Sequence, residues 1–258
     1  MLNRLLSRVS RKAPPSPSTG GRLVYAVGDV HGRLDLLTRL LERIETDARA
    51  TGPAERAAIV LLGDYVDRGP ASREVVAFVR RLLLATDFEV RALMGNHEQV
   101  MLQFLEDPSV GPSWVEFGGG ETLAAYGVRR PGARVDQDAW EAASVALAEA
   151  LPPEDLAFLR GLELSASYGD YLFVHAGVRP EAPLDRQEAA DLLWIRHEFL
   201  ENERRLEKII VHGHTPEVEP FAGTARIGVD TGAYATGVLT AVRLYGEERS
   251  FLQARPGR

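Results

Sequence analysis

Short apolar runs alternate with segments of helical hydrophobic spacing over the first hundred residues of the chain. The runs Leu23–Val27, Ala57–Leu62 and Phe88–Met94 predict buried strands. Between them, leucines and valines recur at three- and four-residue intervals and predict amphipathic helices over Leu34–Asp47 and Val75–Leu83. The order strand, helix, strand, helix, strand indicates two right-handed βαβ units and therefore parallel strands in one sheet.

The second part of the chain is richer in predicted strands. A helix is predicted over His97–Leu105, ended by Asp107-Pro108, and residues 107–139 are loop-rich. Further helices are predicted at Trp140–Leu151, Glu154–Arg160 and Glu188–Leu200, and further strands at Leu162–Ala166, Tyr171–Val174, Ile209–Val211, Arg226–Val229 and Val238–Leu244. We therefore expect an α/β fold with α+β elements, in which a β-sandwich is flanked by helices.

Composition argues against a nucleic-acid-binding, disulfide-stabilised or membrane-spanning protein. The chain has 258 residues, a formal net charge of −7 and no cysteine. The acidic balance gives no broad electrostatic case for a nucleic-acid partner, because domains that bind nucleic acid are usually basic. The absence of cysteine excludes disulfides and thiolate metal ligands and favours a cytoplasmic location. No stretch approaches the ~18 consecutive apolar residues of a transmembrane helix.

The chain is expected to divide into one domain and two tails. Residues 1–20 are basic at first and then rich in Pro, Ser and Gly, so we expect a disordered tail there. Arginines interrupt its apolar residues, and a signal peptide is therefore not expected. Residues 21–250 are expected to form a single domain, followed by a C-terminal tail over 251–258.

Five strand-like runs are followed closely by Asp, Asn or His side chains. Ligands of open α/β sheets bind outside the carboxyl ends of the strands, so we expect these side chains at one edge. Oxygen and imidazole donors without thiolate suit a hard or borderline divalent metal such as Mn, Fe or Zn. Gly28, Gly63 and Gly95 are expected to let the chain turn tightly after each strand. The segments are Gly28-Asp29-Val30-His31-Gly32, Gly63-Asp64-Tyr65-Val66-Asp67-Arg68-Gly69, Gly95-Asn96-His97-Glu98, Val174-His175-Ala176-Gly177 and Val211-His212-Gly213-His214-Thr215-Pro216.

These donors allow a two-metal centre. A carboxylate can bridge two cations, which makes Asp29 or Asp64 the candidate bridge. Two metals about 3.5–4 Å apart can clamp a phosphoryl oxygen and lower the pKa of a shared water towards roughly 7, giving a hydroxide for in-line attack on phosphorus. Strand alternation puts His212 and His214 on one face, so spacing alone leaves both open as ligands.

In their order along the chain, these segments resemble the motifs of calcineurin-like metallophosphoesterases. More narrowly, they resemble the phosphoprotein phosphatase (serine/threonine phosphatase) family, whose second motif carries the added Asp67-Arg68-Gly69, and within it the bacterial and phage lambda phosphatase-like branch. Trp114 with Gly118-Gly119-Gly120, Leu193-Trp194-Ile195-Arg196 and Asp230-Thr231-Gly232-Ala233 are similar to that branch. The resemblance spans residues 23 to about 235 and implies a metallophosphoesterase-type sandwich with its metal site at the carboxyl ends of the strands.

The resemblance also implies roles for individual residues. Two divalent metals, with Mn²⁺ expected and Fe or Zn open, would be held by Asp29, His31, Asp64, Asn96, His175 and His214, with Asp64 as the bridge. His97 would be the general acid, held by Asp67, and such an acid is worth about 10²–10⁴-fold in rate. The phosphate would be bound by Arg68, Arg196 and Asn96.

Several of these residues also have simpler interpretations. Arg196 can be a solvated helix residue, and His197 is expected at the surface. Glu98 is expected to be a carboxylate favoured by the helix dipole at an N-terminus. The resemblance selects His214 over His212 as the metal ligand, and we expect His212 to be structural or to support the ligands.

The expected activity is hydrolysis of phosphoserine or phosphothreonine monoesters in proteins by a metal-dependent phosphoesterase. The alternative is a symmetrical dinucleoside polyphosphate hydrolase (on diadenosine tetraphosphate) with the same two-metal centre. A third, an inactive binding module, predicts the loss of a ligand or of the acid, and none is missing. The segment Glu106–Leu164 is the expected wall beside the phosphate. The sequence leaves the oligomeric state open.

Overall fold

The computed structural model describes residues 17–51, 57–84, 86–132, 137–202 and 204–257. Within these ranges the strands are β1 (Val24–Val27), β2 (Ala58–Leu61), β3 (Glu89–Ala92), β4 (Ser165–Tyr168), β5 (Tyr171–Val174), β6 (Ile209–His212), β7 (Phe221–Ala222), β8 (Arg226–Gly228), β9 (Leu239–Tyr245) and β10 (Glu248–Ala254). The α-helices are α1 (Leu34–Thr51), α2 (Ser72–Leu82), α3 (Asn96–Glu106), α4 (Gly111–Trp114), α5 (Gly120–Ala125), α6 (Gln137–Ala150), α7 (Pro153–Arg160), α8 (Ala189–Trp194), α9 (His197–Leu200) and α10 (Ala233–Thr236).

Two five-stranded sheets form the centre of the fold. The first has the order β10-β9-β1-β2-β3, in which β1, β2 and β3 are parallel and β9 and β10 antiparallel. The second has the order β4-β5-β6-β8-β7, with β5, β6 and β8 parallel and the outer strands antiparallel. The predicted sandwich of two sheets with flanking helices is confirmed.

Strands β1, β2, β5 and β6 are buried at every residue, which explains why they are continuous apolar runs rather than alternating ones. In β1, Val24 and Ala26 pack between the two sheets, while Tyr25 and Val27 pack with the core that includes α1. On the outer face of the second sheet, β5 and β6 pack with residues of α8 and α9 in a third cluster. The layers therefore run helix, sheet, sheet, helix, and strand ends from both sheets reach one rim.

The segment 107–139 is more helical than the sequence predicted. Pro108–Val110 forms a 3₁₀ turn, α4 follows directly, and a wide π-type turn over Val115–Gly119 leads into α5. The prediction of a loop was wrong because Pro lies at the first turns of these helices, where its missing N–H needs no partner. In the run Gly118-Gly119-Gly120, Gly118 kinks the helical path instead of ending it.

Several boundaries also differ from the predicted ones. The predicted strand Leu162–Ala166 lies at β4, two to three residues later, and β10 continues four residues past the expected domain end at 250. Most of the expected N-terminal tail, residues 1–16, lies outside the described residues. Ser18, near its end, is attached to the domain: Asp170 donates its N–H to the Ser18 carbonyl at 2.8 Å.

Among the helices that the structure describes, none has the length and apolar character needed to cross a lipid bilayer. The cytoplasmic location stays a prediction.

Candidate metal centre

Loops at the carboxyl ends of β1, β2 and β3 in the first sheet meet those of β5 and β6 in the second. The residues that they bring together are Asp29, His31, Asp64, Asn96, His97, His175 and His214. Each is at most 6% exposed, so the cluster is buried although every member is polar. The edge expected from the sequence is therefore where the predicted ligands lie.

Asp64 is the residue common to both halves of the cluster. It belongs to two groups of donor atoms, one with His31 and His97 and one with His175 and His214, each within 4.8 Å. Its Oδ2 lies 3.4 Å from Nε2 of His31, and its Oδ1 lies 3.5 Å from Nε2 of His175. Because the two oxygens of one carboxylate face different groups, Asp64 occupies the shared position.

Asp29 lies beside these groups rather than within them. Its carboxylate accepts the backbone N–H of His214, at 3.0 Å to Oδ2 and 3.2 Å to Oδ1. Burial, followed by the negative charges of Asp230 and Asp64, raises the pKa of Asp29 well above its ordinary value. Because their negative charges repel one another, the buried carboxylates of Asp29, Asp64 and Asp230 favour a cation among them. The ligand role of Asp29 stays a prediction.

The imidazole tautomers suit a metal. Nδ1 of His31 donates to the Val66 carbonyl at 2.8 Å, and Nδ1 of His175 donates to the Leu62 carbonyl at 2.9 Å. The Nε2 lone pairs of both rings are thus directed towards Asp64, in the arrangement typical of metal-bound histidine. Oδ1 of Asn96 lies 2.9 Å from Nε2 of His175 and 2.9 Å from Nδ1 of His214. The lone pairs of His175 Nε2 and Asn96 Oδ1 face each other and repel unless a cation lies between them, so these donors fit a divalent metal.

The four histidines of the cluster differ in their pKa values: three have a lowered pKa and the fourth, His97, has a raised one. Burial lowers the pKa of His31 to about 3 and, with His175 and Arg196, that of His214 to about 2; burial also lowers the pKa of His175. These three are therefore neutral, the form that coordinates metals. Burial lowers the pKa of His97 as well, but the carboxylates of Asp64 and Asp67 outweigh it and the net shift is upward.

Asp67 fixes the orientation of His97. Nδ1 of His97 donates to Oδ2 of Asp67 at 2.6 Å, leaving Nε2 on the side of Asp64, 3.9 Å from its Oδ2. The Trp114 indole N–H donates to the same oxygen of Asp67 at 2.8 Å, and the Thr122 hydroxyl donates to Oδ1 at 2.6 Å. Thr122 was not predicted from the sequence, since a threonine on α5 has no local signal that relates it to a residue 55 positions earlier.

Arg68 reaches across both halves of the cluster. One terminal guanidinium nitrogen lies 3.0 Å from Nε2 of His31 and the other 3.1 Å from Nε2 of His97. The guanidinium also lies over the Tyr234 ring, 4.7 Å from its centroid. The side chain can therefore present two parallel N–H donors to an anion bound at the cluster.

Arg196 interrupts the helix that was predicted over Glu188–Leu200. The structure has two short helices there, α8 and α9, with Arg196 at φ −132° and ψ −96° between them. Its guanidinium donates to the Thr215 hydroxyl at 3.2 Å. Arg196, Arg68, Asn96 and His97 line one cavity of about 400 Å³. The prediction of one continuous helix was therefore wrong. Arg196 is exposed, as a solvated residue would be, yet it also lines the cavity, and its phosphate role stays a prediction.

The loops that carry the cluster are strained. Among described residues other than glycine, positive φ occurs at 44° to 69° in five, all of them in this site: His31, Asp64, Asp67, Arg68 and His214. A left-handed backbone at such residues costs on the order of 1–3 kcal/mol each, so surrounding contacts must hold it. Of the three glycines expected to make the turns, Gly63 alone has positive φ, at 104°, while a side chain at Gly95 would overlap the Asp64 carboxylate.

Glu98 supplies the contacts that hold the Asp64 loop. Its Oε1 accepts the backbone N–H groups of Tyr65 (2.7 Å) and Val66 (3.1 Å), and its Oε2 accepts those of Asp64 (2.8 Å) and Gly95 (2.9 Å). The side chain is fully buried. Glu98 lies at the N-terminus of α3, as expected, but it also anchors the loop after β2, which sequence reasoning missed.

Glu98→Gln is expected to destabilise the protein. The amide nitrogen cannot accept the two N–H groups that one carboxylate oxygen now accepts, which should lower the free energy of unfolding by about 2–6 kcal/mol. Denaturant unfolding followed by circular dichroism measures this difference. Glu106→Gln, at the exposed end of the same helix, is the matched control and should leave stability unchanged. Equal stability of the two variants would contradict the anchoring role.

The remaining histidines lie apart from the cluster. His212 is buried, with Nδ1 donating to the Gly213 carbonyl at 3.1 Å and Nε2 accepting from Arg226 at 3.3 Å. Both ring nitrogens are occupied, which supports a structural role. The side chain of His197 is 83% exposed, in agreement with the expected surface position.

The sequence is similar to a known protein family and to named members of it. The family model described as calcineurin-like phosphoesterase matches residues 23–237. A symmetrical bis(5'-nucleosyl)-tetraphosphatase of Acidovorax sp. (strain JS42) is 35% identical over 164 residues, which are 61% of this chain and 45% of that protein. A second protein of that name, from Delftia acidovorans, is 31% identical over 167 residues with the same coverage. The chain thus spans less than half the length of these curated relatives.

Solved structures show the same fold at lower identity. A proposed diadenosine tetraphosphatase superposes with a TM-score of 0.63 at 20% identity, covering 94% of this chain and all of that one. A cold-active protein-tyrosine phosphatase of a psychrophilic Shewanella superposes with a TM-score of 0.57 at 21% identity, covering 94% of this chain and 83% of that one.

Proposed function

Since the chain belongs to the calcineurin-like phosphoesterases, we propose that it is a two-metal hydrolase of dinucleoside polyphosphates. The observation that carries the proposal is the position of Asp64, whose two oxygens are shared between two groups of metal-competent side chains. Burial opposes the ionisation of Asp64, but the positive charge of His97, the one histidine of the cluster whose pKa is raised, helps to hold the pKa of Asp64 below the ordinary value. An ionised carboxylate in that position is suited to bind two cations at once.

We propose the ligand set that the sequence motifs imply, four members of which lie in the two groups around Asp64. Asp29, His31 and Asp64 would hold one divalent metal, and Asp64, Asn96, His175 and His214 the other. Mn²⁺ is the proposed ion, with Fe and Zn suited to the same oxygen and imidazole donors. When bound, the two cations would supply an activated water and neutralise charge on the phosphoryl group.

Three other side chains would act on the substrate directly. Arg68 and Arg196 lie on one cavity wall beside Asn96 and would bind the non-bridging phosphate oxygens. His97 would give a proton to the leaving oxygen from Nε2. Asp67 would hold His97 in place through Nδ1, since the donors Trp114 and Thr122 fix its own carboxylate.

The named relatives favour the second of the two substrates expected from the sequence. Both Acidovorax and Delftia relatives are symmetrical dinucleoside tetraphosphatases by name. The Shewanella protein-tyrosine phosphatase, at 21% identity, is similar in fold alone. The interpretation as a phosphoserine or phosphothreonine phosphatase, and as a member of the phage lambda phosphatase-like branch, therefore has less support than the dinucleotide interpretation.

A direct comparison of substrates tests the proposal. With Mn²⁺ present, kcat/KM is expected to be higher for diadenosine tetraphosphate than for a phosphoserine peptide. Chromatography of the products should show ADP alone, because symmetrical cleavage divides the four phosphates equally. A chelator should abolish both activities. Faster turnover of the phosphopeptide would contradict the proposed substrate while leaving the metal centre in place.

A further inference from the structure

The cavity beside the cluster is lined by both polar and aromatic side chains. Arg68, Asn96, His97 and Arg196 line this cavity of about 400 Å³, and so do Phe117 and Trp194. Its volume is within the range of small-molecule sites, about 300–1,000 Å³. Phe117 is 63% exposed and Trp194 is 44% exposed. Large aromatic side chains exposed in a cavity mark a binding surface.

The backbone around Phe117 is tied to Arg68. The backbone N–H of Arg68 donates to the Gly118 carbonyl at 3.1 Å, and its guanidinium Nε donates to the Phe117 carbonyl at 3.4 Å. Gly118 has φ 112° within the wide turn Val115–Gly119, a type of turn that is frequent at functional sites. The backbone that carries the Phe117 side chain is therefore bonded to the arginine proposed to bind phosphate.

Trp194 is held by the helix that begins with Asn96 and His97. Its indole N–H donates to Oε1 of Gln99, on α3, at 2.6 Å. Trp194 is also the last residue of α8, two positions before Arg196. Because its one polar group already has a partner, what Trp194 offers to a ligand is the face of its ring.

We propose that Phe117 and Trp194 form a subsite that stacks a nucleobase of the substrate. The proposal rests on the proposed function, since it places one nucleoside of a dinucleoside polyphosphate beside the scissile phosphate. A flat heteroaromatic base suits two exposed rings whose neighbours bind phosphate, and stacking accepts any base because every base has a π-face. The subsite would let the chain select a nucleotide over a phosphate of similar charge that lacks a base.

Two inhibitors that differ only by the base test this subsite. AMP and ribose 5-phosphate are measured as competitive inhibitors of hydrolysis of an aryl phosphate with Mn²⁺ present. Both compete with the same reporter, so the ratio of their inhibition constants isolates the base. AMP is expected to bind about 5- to 100-fold more tightly, the range of base–aromatic stacking.

Variants assign that preference to the two rings. Phe117→Ala and Trp194→Ala are each expected to raise the inhibition constant of AMP and to leave that of ribose 5-phosphate unchanged. Trp194→Phe, which keeps a ring but loses the bond to Gln99, should retain most of the preference. Phe221→Ala is the matched control, since Phe221 is a half-exposed phenylalanine of β7 that does not line this cavity, and its ratio should equal that of the wild type.

Intrinsic fluorescence gives a second measurement. Of the three tryptophans, Trp114 and Trp140 are buried, so a base stacked on a tryptophan at the surface must contact Trp194. AMP is expected to quench the wild-type emission and ribose 5-phosphate to leave it unchanged. In Trp194→Phe the quenching by AMP should disappear.

The outcomes separate this proposal from the proposed function. An inhibition ratio near one in the wild type, or a ratio that neither alanine variant changes, would overturn the subsite even if diadenosine tetraphosphate is hydrolysed. A preference for AMP that both variants remove would support it. If that preference is present but diadenosine tetraphosphate is not hydrolysed, the subsite stands and the proposed substrate is wrong.

Discussion

Asp64→Asn is expected to remove nearly all phosphoesterase activity and at least one bound metal. Asparagine keeps the oxygen that accepts the backbone N–H of His97 at 3.2 Å, so the loop can retain its shape. What is lost is the negative charge shared by the two groups of donors. A charge–charge interaction at contact range is worth on the order of 4 kcal/mol near a protein surface. We therefore expect kcat/KM to fall by roughly 10³-fold or more.

Metal content and kinetics are measured together for this variant. Elemental analysis should give a lower metal-to-protein ratio than the wild type, and aryl phosphate hydrolysis should not recover when Mn²⁺ is added. Asp138→Asn, an exposed aspartate in the first turn of α6, is the matched control and should behave as wild type. Activity within about tenfold of wild type, with unchanged metal content, would show that Asp64 is not the bridge.

His97→Asn is expected to slow hydrolysis most for substrates whose leaving group has a high pKa and therefore needs a proton to depart. A positioned acid contributes about 10²–10⁴-fold, and an alkoxide or unactivated phenoxide needs all of it. Nitrophenolate and ADP are stable anions, so their departure should depend much less on His97. Trp114 and Thr122 would still hold Asp67, which limits the change to the missing imidazole.

A series of aryl and alkyl phosphates of increasing leaving-group pKa measures this dependence. The variant should show a steeper fall in kcat along the series than the wild type. His197→Asn, whose side chain is 83% exposed in the native protein, is the matched control. An equal loss on every substrate would remove His97 from the acid role and favour a role as a metal ligand, which its presence in one donor group allows.

Much of the fold follows from local pattern. Apolar runs between Leu23 and Met94 predicted β1, β2 and β3, and in β1 and β2 the run is continuous because every residue is buried. The pattern failed at 107–139, where proline and glycine begin and kink short helices instead of ending them. It also missed β10, since Glu248–Ala254 is an edge strand with several exposed and half-buried positions.

Residue type and order were enough to predict which side chains are available for chemistry and at which edge of the sheet they lie. Asp29, Asp64, Asn96, His175 and His214 each follow a strand, and the carboxyl ends of parallel strands in a sheet face the same edge. The absence of cysteine limited the donors to oxygen and imidazole. These conclusions need only residue type, order and strand direction, which are local properties.

How those side chains are used depends on long-range contacts. Asp64, and not Asp29, lies in the position shared by the two groups of donors. Nε2 of His175 points inward because Nδ1 donates to the Leu62 carbonyl, 113 residues away in the chain. Glu98 holds the backbone of Asp64 at φ 52°. Each result depends on contacts between segments distant in the chain, which local pattern cannot specify. Strain at five left-handed residues persists because the packed sandwich holds them there.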